Sequence, residues 1–459
     1  MLKGMSVAAT TLGCKVNQAE TDSMLDMLKA AGANIVEFDE KADIYIVNTC
    51  SVTNIADKKS RQMLHRARKM NPDGIVIAAG CYVQSAREIL EQDEAIDIVI
   101  SNNKKKSITE IVNDYINVRN NGKNAPGKDH EAMEYFVDIS RETEYEEMGG
   151  HVPVGHTRAY VKIQDGCNQF CSYCIIPYVR GRIRSRSQET ILAEVSELAE
   201  AGIKEVVLTG IHISSYGKDK NNEGALIELI EAISKIKGIK RIRLGSLEPG
   251  IITEEFVERI SSNSKVCPHF HLSLQSGCDS VLKRMNRKYT CKQYFEKCDM
   301  LRKAYKSPAL TTDVIVGFPG ETEEEFAETV RYLTELNLYE MHIFKYSPRK
   351  GTVAAAMKEQ VAPKIKNERS DVLLKLAHDN KTAYEAQFEG CELEVLVEEV
   401  VKKDNKTYLR GHTERYMDIL IDVGDISMPE SFVNSFVYVT YTQNGGKPSF
   451  TFCSFFILE

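Results

Sequence analysis

Apolar residues between positions 6 and about 119 fall in short runs separated by stretches of helical spacing. SVAATTLG (6–13), DIYIVNT (43–49), GIVIAAG (74–80) and IDIVIS (96–101) have the length and β-branched content of buried strands. NQAETDSMLDMLKAAG, ADKKSRQMLHRARKM and SITEIVNDYINVR repeat their apolar positions as helices do. Alternation of the two predicts βαβ units and a parallel α/β domain over residues 1–119. Residues 120–156 are polar, acidic and rich in turn formers, which predicts a linker. Over 157–375 the alternation resumes with RAYVKIQ, EVVLTGI, RIRLGSL, HFHLSLQ, TTDVIVGF and YEMHIFKYS, each followed by a helical pattern. Six such units predict a partial (β/α)6 barrel rather than a closed eight-unit one. From about residue 376 the period shortens to two in CELEVLVEEV, TYLRGHTERYMDILIDV and SFVNSFVYVTYTQ. That pattern predicts a small antiparallel β-barrel of the oligonucleotide-binding kind over 376–445, then an apolar tail, 446–459, with Cys453 as a packed thiol. The expected fold class is α/β with this all-β appendage.

A chain of 459 residues exceeds what one hydrophobic core serves, in keeping with several domains. With 42% hydrophobic and 27% charged residues, collagen-like and disordered classes are excluded. GIVIAAGCYV, the longest apolar run, is too short to cross a bilayer, and MLKGMSVAATTLGCK is unlike a secretory leader. A cytoplasmic protein without a membrane partner is expected. The net charge of −7 arises in residues 378–459, where 14 Asp and Glu face 7 Lys and Arg. The remainder is neutral, with local basic clusters, so bulk charge alone does not point to a nucleic acid.

Twelve cysteines in such a chain point to metal binding rather than disulfides, because the cytosol keeps thiols reduced. Cys167, Cys171 and Cys174 have the spacing C-x3-C-x2-C in a polar loop after a strand. Zinc sites use paired C-x2-C units or histidines, whereas three thiolates in one loop can hold three corners of an iron–sulfur cubane and leave its fourth iron open. Cys14, Cys50 and Cys81 each close a predicted strand and precede a helix. In a parallel sheet all three emerge at the carboxyl edge, where open α/β sheets bind ligands and helix N-termini favour thiolate. A second cluster with an open iron is the reading that explains three equivalent positions. Cys267, Cys278, Cys291, Cys298 and Cys391 are expected to be core thiols. His212 and His271, near strand ends, are candidates for substrate contact or for satisfied structural histidines.

The loop GCNQFCSYC, with Tyr173 before its last cysteine, resembles that of the radical S-adenosylmethionine (SAM) superfamily. The resemblance implies that the open iron binds SAM and that reductive cleavage gives a 5′-deoxyadenosyl radical. It also implies SAM contacts from Thr209, Gly210, Ser246, Glu248, Gln275 and Glu321 at strand ends. The whole three-part organisation resembles the methylthiotransferases. TLGCKVNQAE (11–20) and LTGIHISSYG (208–217) are similar to the subfamily acting on threonylcarbamoyladenosine in tRNA. Enzymes acting on isopentenyladenosine usually show GCQMN, and those acting on a ribosomal-protein aspartate GCPKN; these are the alternatives within the family, and a zinc-bearing RNA-binding module is the alternative outside it.

The resemblance implies two [4Fe–4S] clusters, one SAM as methyl donor and one as radical source, and a methylthio group delivered to carbon 2 of the base. The partners implied are a tRNA anticodon stem-loop, an electron donor and a sulfur source. The target nucleotide must be splayed from its stack to reach such a centre. Arg180, Arg182, Arg184 and Arg186 alternate, so an extended segment would send all four to one side. There they would meet RNA phosphates, or else pair with acidic residues on a solvated loop. The helix at 58–69 is a second basic candidate. Lys402, Lys403, Lys406, Arg410 and Arg415, with Tyr408 and Tyr416 for stacking, are a third.

Overall fold

The computed structural model describes residues 2–121, 135–149, 157–404, 406–424, 428–444 and 447–454; the middle of the linker, the end of the tail and the side chain of Cys453 lie outside the described residues. Residues 6–120 form strands β1 (Ser6–Thr11), β2 (Asn34–Val36), β3 (Ile44–Thr49), β4 (Ile75–Gly80) and β5 (Ile98–Ile100) with helices α1 (Lys15–Ala30), α2 (Asn54–Met70), α3 (Cys81–Glu91) and α4 (Ile108–Asn120). The sheet is parallel throughout, in the order β2-β1-β3-β4-β5. Every residue of β3 and β4 is buried, because helices cover both faces of the sheet. One apolar layer holds Met24, Leu28, Ile44, Ile46 and Ile77; the other holds Tyr45, Val47, Leu64 and Val76. β2, which the hydrophobic pattern does not reveal, is a short edge strand. The strand order reverses between β1 and β3, so the loops after these two strands flank a crevice suited to a ligand.

The second unit contains β6 (Arg158–Asp165), α5 (Ile176–Val179), β7 (Arg184–Ser185), α6 (Gln188–Glu200), β8 (Glu205–Gly210), α7 (Ala225–Ser234), β9 (Arg241–Leu244), α8 (Glu254–Ser261), β10 (His269–His271), α9 (Asp279–Arg284), α10 (Cys291–Ala304), β11 (Ala309–Val316), α11 (Glu323–Leu336) and β12 (Glu340–Lys345). All six strands expected from the sequence are present. They form the sheets β7-β6-β8-β9 and β10-β11-β12, with β7 antiparallel to β6 and isolated bridges Ile242–Val266 and Leu247–Leu272 crossing between them. Helices start where their caps dictate: Thr290 and Gln293 form a capping box on α10, and Thr322 and Glu325 form one on α11.

Helix α12 (Pro363–Ala386) leads into five antiparallel strands, β13 (Glu392–Lys403), β14 (Lys406–Thr413), β15 (Asp418–Asp422), β16 (Phe436–Asn444) and β17 (Lys447–Ser454). Their order is β15-β14-β13-β16-β17, and the outer strands β15 and β17 come into contact. β17 falls in the stretch whose composition suggests a tail. This sheet is fastened to β9: Arg241 donates to the carbonyls of His412 and Glu394 at 3.0 Å each, and Arg243 to those of Glu414 and Thr413 at 2.9 and 3.2 Å.

Candidate active site

The loop after β6 begins at Gly166, with φ of +72°; a Cβ there would lie 1.7 Å from the Arg182 carbonyl oxygen, so only glycine allows the turn. Cys167 then donates its backbone N–H to Gly181 at 3.0 Å, and the Gln169 N–H points at the Cys167 sulfur at 3.4 Å. Ser172 Oγ donates to the Arg284 carbonyl at 2.8 Å, and Asn286 Nδ2 to that of Phe170 at 2.9 Å, which fixes the loop against the turn after α9. Cys167, Cys171 and Cys174 line a cavity of about 350 Å³ with Tyr173, Ser246, Glu248 and Gln275. The same cavity takes in His212, Ser273, Arg287 and Asp313, of which only His212 stands out in the sequence. Arg287 organises it: one guanidinium nitrogen lies 3.3 Å from the Cys171 sulfur, another 2.9 Å from Glu248 and 3.0 Å from the Ser273 carbonyl. Burial, with the Cys171 thiol adding to it, pushes the Cys174 thiol up to about 12. Burial likewise lifts Cys167 to about 11. Without a metal these groups hold their protons; a bound iron replaces them.

Cys14 is the N-cap of α1, Cys50 follows β3, and Cys81 opens α3, so the three sit along the carboxyl edge of the first sheet at and beside its strand-order reversal. Gly13 and Gly80, like Gly166, have positive φ (+100° and +98°) immediately before a cysteine, and the Cys50 sulfur lies 2.7 Å from where a Cβ of residue 13 would be. Burial lifts Cys50 to about 11, with Cys81 and Cys14 adding to the rise, so the thiols are near enough to feel one another. Arg180 Nε points at the Cys81 sulfur at 3.2 Å, and Asn102 Nδ2 approaches it at 3.9 Å.

Beneath this triplet lies a buried charge network. Glu20 accepts from Lys105, from Lys162 at 2.6 Å and from Arg180 at 3.0 Å; Asp165 accepts from Lys162 at 2.6 Å and Arg180 at 3.2 Å, with Arg184 at 3.8 Å. Burial opposes ionisation of Glu20, but Arg180, Lys105 and Lys162 outweigh it and hold the carboxyl well below its usual range. Four cations therefore face two carboxylates. The excess positive charge beside Cys81 suits an anionic group there.

The Cys14 side opens on a second cavity of about 500 Å³, lined by Thr209, Gly210, Ser246, His271, Asp313 and His342 among others. Ser246 and Asp313 line both cavities, so the space beside Cys14 adjoins the one lined by Cys167, Cys171 and Cys174. Three sulfurs on one zinc ion would stand roughly 3.8 Å apart, given Zn–S bonds near 2.3 Å. Among the described residues only His271, Asp313 and His342 bring three such ligand atoms within 4.8 Å of one another. Neither cysteine triplet closes on a single ion.

Residues 161–333 match the radical SAM superfamily, and residues 6–101 match a family described as uncharacterized protein family UPF0004. A threonylcarbamoyladenosine tRNA methylthiotransferase of Bacillus subtilis is 39% identical over 416 residues, covering 90% of each chain. The chain belongs to the radical SAM methylthiotransferase family. A tRNA-2-methylthio-N(6)-dimethylallyladenosine synthase of Thermoanaerobacter pseudethanolicus is 35% identical, covering 94% of this chain and 90% of its own. Among solved structures, the radical SAM methyltransferase TsrM of Kitasatospora setae, with cobalamin and a [4Fe–4S] cluster bound, superposes with a TM-score of 0.54 at 14% identity, over 75% of this chain and 77% of that one, a likeness of fold. Membership makes this chain an enzyme with iron–sulfur and SAM cofactors, and sets aside the non-catalytic zinc module.

Several residues of this methylthiotransferase stand elsewhere than the sequence suggests. Glu321 is not on either cavity: its carboxylate accepts from the Gly317 N–H and from Arg369 of α12, both at 2.7 Å. The arginine run is not one extended face, because Pro177 opens helix α5 and Arg180 ends it. Arg180 and Arg184 are buried in the charge network, and Arg186 is buried against Glu147 and Glu194. Arg182 alone is exposed, with its guanidinium 4.5 Å from the Phe170 ring centre. In the 58–69 helix, Arg66 pairs with Asp39 and Arg68 with Asp97. In the C-terminal sheet, Lys406 pairs with Asp422, Arg410 with Asp418, and Arg415 with Glu414. Tyr416 is not an outer stacking platform: it lines the Cys14 cavity, stacked on His412 at 4.6 Å and flanked by Arg158 and Arg243. Among the described residues no helix is long and apolar enough to cross a membrane.

Proposed function

We propose that this enzyme, acting in the cytoplasm, transfers a methylthio group to carbon 2 of threonylcarbamoyladenosine beside the tRNA anticodon. The observation that carries the proposal is that the cavity beside Cys14 and the cavity lined by Cys167, Cys171 and Cys174 share Ser246 and Asp313, which supports a single base lying between the two centres. Cys167, Cys171 and Cys174 would hold one [4Fe–4S] cluster, and Cys14, Cys50 and Cys81 the other. Together with two SAM molecules, these clusters supply the methylated sulfur and the radical needed to replace an unactivated C–H bond. Arg287 and Glu248 form a fixed charged pair beside the Cys171 sulfur, suited to orient the ends of SAM. Thr209, Gly210, Ser246 and Gln275 form polar walls at strand ends, where ligands bind in this architecture. The motif TLGCKVNQAE and the names of the relatives favour the threonylcarbamoyl substrate over the isopentenyl one. An electron donor and a sulfur source complete the reaction.

The test is mass spectrometry of tRNA nucleosides from cells lacking the protein and regaining it. Loss and return of methylthio-threonylcarbamoyladenosine supports the proposal; change confined to the isopentenyl nucleoside sinks it.

A further inference from the structure

Lys15 follows Cys14 and is the first residue of α1. It lines the Cys14 cavity, and its Nζ lies 5.7 Å from the ring centre of Tyr160 and 5.5 Å from that of Tyr416. Among the described residues, the cations around it are matched by carboxylates. Arg158 pairs with Glu398 at 2.9 Å, Arg243 with Glu205 at 2.7 Å, and Arg241 with Glu394 at 2.8 Å. Lys15 is not: Glu205, which acts on it at a distance, is already held by Arg243. Of the acids that line the same cavity, Glu340 pairs with Lys381 and Asp313 faces His271 at 3.4 Å.

The placement is electrostatically unfavourable as it stands. An ammonium at a helix N-terminus opposes the helix dipole, and the first turn of α1 carries no acid to relieve it. A cation kept in a cavity against the dipole and against other cations is accounted for when its anion arrives with the substrate. The ring faces of Tyr160 and Tyr416 hold the ammonium in place meanwhile.

The threonylcarbamoyl group supplies such an anion. Its threonine is joined through nitrogen, which leaves a free α-carboxylate at the end of the N6 substituent. A dimethylallyl group on N6 has no charge. N6 and carbon 2 lie on the same edge of adenine, on either side of N1, so a base that presents carbon 2 to Cys14 carries its N6 substituent along the neighbouring wall. Lys15, next in the chain to Cys14, is on that wall.

We propose that Lys15, set between Tyr160 and Tyr416, forms the subsite for the carboxylate of the substrate's N6 substituent, and so selects threonylcarbamoyladenosine over uncharged N6-modified bases. This inference rests on the substrate proposed above, and the experiment separates the two. The cluster-loaded enzyme, wild type and Lys15→Met, is assayed on anticodon stem-loops whose base carries the threonylcarbamoyl group, its methyl ester, or a dimethylallyl group. Iron content and circular dichroism are measured on both proteins. Lys15→Met is expected to lose on the order of tenfold or more in kcat/KM on the free acid, as expected for a hydrogen bond to a charged group. It should lose nothing on the ester, and Lys15→Arg should retain most of the activity on the acid. Wild type acting equally on acid and ester overturns the subsite, and this comparison needs no variant. Equal losses by Lys15→Met on acid and ester overturn it as well. Wild type acting on the dimethylallyl substrate alone overturns the substrate assignment itself.

Discussion

Glu20→Gln tests the buried charge network that joins the first two units of the fold. Glu20 and Lys105 belong to the N-terminal unit; Lys162, Asp165, Arg180 and Arg184 belong to the second. The Glu20 side chain is 2% exposed, and both its oxygens accept from cations. Glutamine keeps the shape and loses the charge, leaving Lys105 without its carboxylate and Asp165 alone against Lys162, Arg180 and Arg184. Breaking a buried ion pair by neutralising one partner costs about 3–5 kcal/mol. At about 2–4 °C of melting shift per kcal/mol for a unit of 150–250 residues, the midpoint should fall by about 10 °C. The sign of the pH dependence follows from the depressed carboxyl of Glu20. Its contribution is complete above the unfolded carboxyl value of about 4.3 and disappears as pH falls through the lower folded value. Thermal denaturation of wild type and variant between neutral pH and about pH 3 should show a gap that is full at neutrality and narrows only at the acid end. A midpoint shift below about 2 °C at neutral pH, or a gap independent of pH over that range, would refute the assigned role of the network.

Gly166→Ala should abolish the radical cluster, because the new Cβ would overlap the Arg182 carbonyl; iron should fall from about eight to about four per chain while the N-terminal triplet stays loaded. In the cluster-free protein, Cys50, Cys167 and Cys174 should be alkylated at pH 8 more slowly than exposed Cys391, since burial keeps them as thiols; peptide mass spectrometry reads the difference. Arg182→Glu should weaken tRNA binding and reduce the slope of log K against log salt by roughly one, whereas Arg186→Glu should lower the melting point with no such change in slope.

The parts of the molecule legible in the sequence are those with local causes. β3 and β4 are continuous apolar runs because both faces of a parallel sheet are covered, and the six later strands repeat at βα spacing. Each of Cys14, Cys50 and Cys81 closes a strand, so topology alone brings them to one edge. The failures have distant causes. Alternating arginines suggest an extended face, but the partners that draw Arg180 inward are Glu20 and Asp165, far along the chain and invisible to any local period. Glu321 stands at a strand end as a cofactor contact would, yet Arg369 of α12 takes its carboxylate. Arg287 follows a short helix and carries no local signal; its position at the Cys171 sulfur follows from how α9 packs behind the loop. Tyr416 shows an aromatic residue between charges, and only the docking of β14 and β15 on β9 reveals that it faces inward.

Tyr416 also has a consequence for the order of synthesis. The wall of the Cys14 cavity draws on the first strand–helix junction, on strands of the second unit and on a turn near the end of the chain. A ribosome delivers these parts minutes or seconds apart, and both cysteine triplets emerge long before that turn. Until the turn holding Tyr416 docks, the cavity lacks one of its walls. The space beside Cys14 is thus completed by a late-made turn, and a chain terminated before Tyr416 keeps all six cysteines without that wall.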